Sequence, residues 1–118
     1  MTYRLLALDV DGTLVHGDGE PHFTRRLRTV VARAIERGVH VTLATGRMFR
    51  SASRIARELG FNAPLVCYNG ALVRALDAPA PLFHEPVPSG LALEVVAFAR
   101  ERGLHLNAYV DDELCTEQ

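Results

Sequence analysis

Arg4-Leu5-Leu6-Ala7-Leu8-Asp9-Val10-Asp11-Gly12-Thr13-Leu14 decides how the rest of this chain is read. A short apolar run broken by two acids reads as a buried strand that delivers polar groups to a sheet edge. Strand side chains alternate, so Asp9 and Asp11, two residues apart, are expected to direct both carboxylates to one side. Two carboxylates held close resist joint ionisation. One pKa is therefore expected to rise, leaving an anionic nucleophile beside a protonatable acid, unless a cation lies between them. Gly12 lets the chain turn and is expected to bring backbone N–H groups toward an anion. The competing readings are an acidic turn and a calcium loop. The calcium loop fails on spacing, because it needs a third oxygen ligand before its glycine and a glutamate at its twelfth position. The strand ahead of the acids weighs against a plain turn.

Working outward, Arg4 to Asp9 is the first expected strand and Gly12 to Pro21, containing Gly17-Asp18-Gly19, a loop. From Thr24, Leu27, Val30, Val31, Ala34 and Ile35 recur at helical spacing, and Gly38 stops the helix. Val39 to Ala44 reads as a second strand and Phe49 to Leu59 as a second helix ending before Gly60. Leu65 to Tyr68 reads as a third strand. Strands alternating with helices imply right-handed crossovers and a parallel sheet covered on both faces, an α/β fold. After Asn69-Gly70 the rhythm changes. Ala71 to Arg74 and Leu82 to Glu85 flank a proline-stiffened connection and read as a hairpin. Ser89 is the expected N-cap of a third helix, Leu91 to Arg102, followed by a strand from Leu104 to Val110 and a turn at Asp111-Asp112 into another strand.

The 118 residues are 48% hydrophobic and 23% charged with a net charge of −1, which fits a globular unit rather than a disordered one. Residues 22–57 hold nine arginines and one acid, Glu36, whereas residues 111–117 hold four acids and no base. The arginines follow helix faces without interleaved aromatics, so solvated helix faces are expected, the alternative being a field that draws small phosphorylated anions, and no nucleic-acid partner. The apolar start is too short for a signal peptide or a membrane span, which points to the cytoplasm and to no membrane partner. Cys67 and Cys115 have no metal or redox spacing and are expected as reduced thiols. Histidines 16, 22, 40, 84 and 105 likewise show no ligand spacing.

Two further strand ends carry chemistry. Thr42-Leu43-Ala44-Thr45-Gly46-Arg47 places a hydroxyl and a glycine where a helix start would form an anion site, the alternative being an ordinary N-cap at Thr45. Arg47 either holds a phosphate by a bidentate contact or lies along a helix face. Tyr68-Asn69-Gly70-Ala71 offers Asn69 as a turn former or a substrate contact.

Asp9-Val10-Asp11-Gly12-Thr13-Leu14 resembles the first motif of the haloacid dehalogenase (HAD) superfamily, and the two later strand ends resemble its Cof-type branch. The resemblance implies a Rossmann-like parallel sheet over residues 1–81, present in part, and the beginning of an inserted α/β cap over 82–118. It implies a phosphatase for small phosphorylated metabolites. Asp9 would attack phosphorus to give an aspartyl-phosphate, and Asp11 would protonate the leaving oxygen and then activate water. Thr45 would bond the transferring phosphoryl group, with Gly12, Thr13, Gly46, Arg47 and Asn69 around the substrate. Mg²⁺ would bind the Asp9 carboxylate and the Asp11 backbone carbonyl. The family's later basic motif, usually a lysine, has no counterpart in a sequence whose thirteen basic residues are all arginine, and Asp111-Asp112 lacks the pattern of its acidic pair. A truncated chain, weak or no Mg²⁺ binding, and either self-association through an exposed edge of the nucleophile strand or marginal stability are therefore expected. A phosphotransferase or mutase of the same superfamily, and a non-catalytic phosphate-binding module, are the competing functions.

Overall fold

A computed structural model describes residues 3–16 and 22–116, so the Gly17-Asp18-Gly19 part of the expected loop lies outside the described residues. The contacts divide the chain into two units, one ending at His84 and one starting at Glu85.

In the first unit, strand β1 (Leu5–Leu8) is followed by helix α1 (Arg25–Glu36), β2 (His40–Leu43), helix α2 (Phe49–Leu59) and β3 (Leu65–Cys67). β1 and β2 pair in parallel, Leu5 opposite His40 through Leu8 opposite Leu43, and a parallel bridge between Ala44 and Val66 sets β3 beside β2. The α/β character read from the alternating pattern is therefore realised. Thr24 caps α1, its hydroxyl accepting the Leu27 N–H at 3.2 Å, which satisfies one donor of the open first turn. The α2 stripe of Phe49, Ala52, Ile55, Ala56 and Leu59 is buried at helical spacing against β2 and β3. Each large apolar side chain on that stripe stabilises the unit by roughly 1.5–3 kcal/mol. Val41 and Leu43 on β2 and Leu65 on β3 are fully buried beneath it. Thr42, also buried, donates its hydroxyl to the Pro64 carbonyl, so burying it leaves no orphaned polar atom.

The expectation of a sheet covered on both faces is corrected. Strand order follows chain order, so two right-handed crossovers carry α1 and α2 to the same face. Arg28 on α1 ties them together through the Glu58 carboxylate and, at 3.2 Å, the Glu58 carbonyl. β1 is open on both faces at its start, with Leu5 58% and Leu6 40% exposed, whereas Val41, Thr42 and Leu43 of β2 are buried. Among the described residues β1 pairs with β2 alone.

After β3 the chain passes through a 3₁₀ turn, Tyr68–Gly70, and returns antiparallel as β4 (Leu72–Arg74), which pairs with β5 (Phe83–His84). The expected hairpin thus forms and also extends β3.

The second unit comprises helix α3 (Ser89–Glu101) and a hairpin of β6 (Asn107–Val110) with β7 (Glu113–Thr116). Ser89 does not cap α3. Pro88 holds that position without a side-chain bond, and Ser89 lies in the first turn. The strand expected from Leu104 is shorter because the Leu104 N–H turns back to the Ala99 carbonyl at 2.9 Å to close α3. Asp111 and Asp112 both have positive φ, 50° and 62°, as a two-residue hairpin turn of matching twist requires. Of the described residues in this unit only Ala99 is buried, and Leu93 (70% exposed) and Phe98 (51%) face outward. No helix among the described residues is long and apolar enough to cross a membrane.

Candidate active site

The first component is the turn that ends β1. Val10 is fully buried while Asp9 and Asp11 on either side of it are exposed, the alternation that puts two acids on the outside and an anchor between them. The Val10 carbonyl accepts N–H bonds from Thr13 (3.3 Å), Leu14 (2.9 Å) and Val15 (2.9 Å), and Gly12 N–H donates to the Val15 carbonyl at 2.8 Å. Gly12 has φ +79°, a conformation that costs a side-chain-bearing residue about 1 kcal/mol or more. The amides expected to face an anion are therefore spent inside the turn, because the chain closes on Val10 rather than opening outward. Thr13 Oγ1 donates to Asp9 Oδ2 at 3.4 Å.

The second component is the segment after β2. Ala44 N–H donates to the Leu8 carbonyl at 2.9 Å, which brings this segment beside the acids. Thr45 is 5% exposed, and its hydroxyl accepts the Arg47 N–H at 3.2 Å, a local turn of the kind hydroxyl side chains favour. It is not a helix cap: α2 begins only at Phe49, with Met48 at the N-cap. The expected helix-start anion site is displaced accordingly.

The third component is the end of β3. Asn69 N–H donates to the Thr45 carbonyl at 3.1 Å and Tyr68 N–H to the Arg47 carbonyl at 3.2 Å. Tyr68 and Asn69 have φ of 51° and 55°, a strained pair of the sort that surrounding bonds must hold in place. The Asn69 side chain lies against Gly46, where an added β-carbon would stand 2.9 Å from Asn69 Oδ1. Gly46→Ala is expected to change stability by less than about 1 kcal/mol, because the obstructing atom ends a side chain that can rotate. Its effect should instead be a swung-out Asn69 amide, visible as a large shift of the Asn69 side-chain NMR signals with little change in melting temperature. An unmoved Asn69 signal would contradict this packing.

Arg47 joins the components. Its Nε donates to Asp11 Oδ2 at 3.0 Å and Oδ1 at 3.2 Å, its Nη2 donates to Oδ1 at 2.6 Å, and its Nη1 donates to Ser51 Oγ at 3.5 Å. These bonds hold the Asp11 carboxyl below the ordinary aspartate range, with the neighbouring positive charge adding to them and slight desolvation opposing. The expectation of a raised acid is corrected at Asp11, because a guanidinium rather than the second carboxylate is its nearest partner. A depressed folded pKa stabilises the fold above the unfolded value and is lost as pH falls through the folded one. With the Asp11 side chain 62% exposed, screening keeps that contribution within about 1 kcal/mol. The stability advantage of the wild type over Arg47→Gln should therefore shrink in acid denaturation below about pH 4. An advantage that is constant from neutral pH into strong acid would refute it.

The structure thus brings Asp9, Asp11, Gly12, Thr13, Thr45, Gly46, Arg47 and Asn69 onto three adjoining strand ends. Sequence reasoning missed Ser51, in the first turn of α2, and missed the positive φ of Tyr68. Nothing in the sequence announced the Arg47–Asp11 pair. A shallow cleft lined by residues 61–64 and 75–78 touches none of these residues. No group of three or more histidine, cysteine, aspartate or glutamate side chains suited to a metal occurs among the described residues.

Comparison with known proteins bears on this arrangement. The profile of the haloacid dehalogenase-like hydrolases matches residues 6–118. The chain is 33% identical over 96 residues to the stress response protein YhaX of Bacillus subtilis, covering 81% of this chain and 32% of that protein. It is 32% identical over 119 residues to the pyridoxal phosphate phosphatase YbhA of Escherichia coli, covering 99% of this chain and 42% of that one. The crystal structure of a haloacid dehalogenase-like hydrolase from Bacteroides thetaiotaomicron superposes with a TM-score of 0.83 at 27% identity, covering 99% of this chain and 44% of that one. The chain spans less than half the length of each of these relatives.

Proposed function

The chain belongs to the haloacid dehalogenase-like hydrolases, and from that premise we propose that it carries the nucleophile half of a phosphatase centre for small phosphorylated metabolites. The observation that supports this reading is the joining of the three strand ends: Arg47 bonds Asp11, and Asn69 N–H bonds the Thr45 carbonyl. Residues 1–81 are read as the core and 82–118 as the beginning of an inserted cap.

Asp9 supplies the nucleophile. One carboxylate oxygen forms a bond to phosphorus as the bond to the leaving oxygen breaks, giving an aspartyl-phosphate and an alcohol whose proton comes from Asp11, after Asp11 has left Arg47 and taken a proton from solvent. Asp11, now a carboxylate, takes a proton from a water molecule that attacks the same phosphorus, releasing inorganic phosphate and restoring Asp9. Thr13 steadies Asp9, while Thr45, Gly46 and Arg47 surround the transferring group and Gly12 shapes the turn. Asn69 borders the substrate.

The donors present suit Mg²⁺ in kind, since the exposed Asp9 carboxylate and the Asp11 backbone carbonyl are hard oxygens; these two would hold it. When bound, Mg²⁺ supplies positive charge that offsets the phosphoryl oxygens. Substrates of the size of pyridoxal phosphate, for which the relative YbhA is named, suit the reading, as does a cytoplasmic location. A second copy is the proposed partner for the open edge of β1, and sedimentation that stays monomeric at rising concentration would remove it.

The test is release of phosphate from an aryl phosphate in the presence of Mg²⁺ by the protein carrying this sequence. Turnover above background is expected. Its absence, with phosphate still bound, would favour the second reading, a phosphate-binding module, which the holding of Asp11 in its ionised form by Arg47 supports. Transfer to a sugar hydroxyl in preference to water would indicate a phosphotransferase or mutase.

A further inference from the structure

Arg47 is the expected phosphate ligand, yet two of its nitrogens are already engaged by the Asp11 carboxylate. A carboxylate and a phosphoryl group offer a guanidinium the same feature, paired oxygens that accept parallel N–H bonds. If the site is the phosphate centre described above, on which this inference rests, one guanidinium has two claimants. The backbone of Arg47 is pinned, its N–H on Thr45 Oγ1 and its carbonyl on Tyr68 N–H, and its Nη1 is held by Ser51 Oγ. The backbone that carries the guanidinium is thus fixed in place, and what can change is the anion the guanidinium binds.

We propose that Asp11 is a built-in competitor for the anion seat of Arg47: a substrate phosphoryl group binds by displacing the Asp11 carboxylate.

The test titrates the full chain with inorganic phosphate and follows the Arg47 Nε–H and the Asp11 carboxyl carbon by NMR. Both signals should move along one binding curve. In parallel, Asp11→Asn should tighten phosphate binding about fivefold, as expected for loss of a half-exposed bidentate competitor, and that gain should vanish in an Arg47→Gln background. An Arg47 signal that shifts while Asp11 stays still, or an equal gain in both backgrounds, would overturn the exchange and leave the phosphate centre standing. No phosphate binding by the wild type or by Asp11→Asn would overturn both.

Discussion

Asp9→Asn is expected to lower aryl phosphate turnover by at least about 10³-fold, a barrier increase of about 4 kcal/mol. Asparagine keeps the shape of the side chain and can still accept the Thr13 hydroxyl, so the turn around Val10 has no reason to change. It lacks the anionic oxygen that attacks phosphorus. Asp9 is exposed, and exposed substitutions of this kind usually alter stability by no more than about 0.5 kcal/mol. A melting curve that superposes on the wild type, together with a lost rate, would separate chemistry from folding. A variant that retains the wild-type rate would show that Asp9 is not the nucleophile.

Leu43→Ala should have the largest effect on the fold. Leu43 has no exposed surface and lies on β2, the strand that β1 and β3 both flank. Truncation leaves a cavity beneath α2 and costs about 2–5 kcal/mol. A domain of this size holds only about 5–15 kcal/mol in total, and each kilocalorie shifts melting by about 4–8 °C. A fall of at least about 8 °C is expected in thermal unfolding followed by circular dichroism. Leu5→Ala on the paired strand is the control. Leu5 is 58% exposed, so its loss should cost under about 1 kcal/mol. A large cost at Leu5 that grows with protein concentration would instead reveal a second copy covering β1.

The sequence disclosed the elements wherever burial has a period. α2 is the clear case, because its five buried residues repeat at helical spacing and Gly60 adopts the left-handed conformation that ends it. The acid pair was legible for a related reason: only a strand end explains an apolar run that stops at Asp9. Strand ends were placed a residue too far at Asp9 and at Tyr68, since convergent bonds on the Val10 carbonyl and positive φ at Tyr68 depend on contacts that pattern does not encode. The single-sided helix layer was missed because alternation fixes the number of crossovers but not the order of the strands. The Arg47–Asp11 pair lies beyond sequence reasoning altogether. Thirty-six residues separate the partners, and their meeting depends on the register of β1 with β2.

The two amide bonds from Tyr68 and Asn69 to the segment after β2 have a consequence for how such a chain can diverge. Every bond described around Asp9, Asp11, Thr45, Gly46, Arg47 and Asn69 begins and ends within residues 8–69. Beyond Gly70, the residues that support that set are those of β4 paired with β3, such as the buried Leu72 opposite Cys67. Mutational tolerance should therefore rise past the β4–β5 hairpin, among the exposed residues of the second unit.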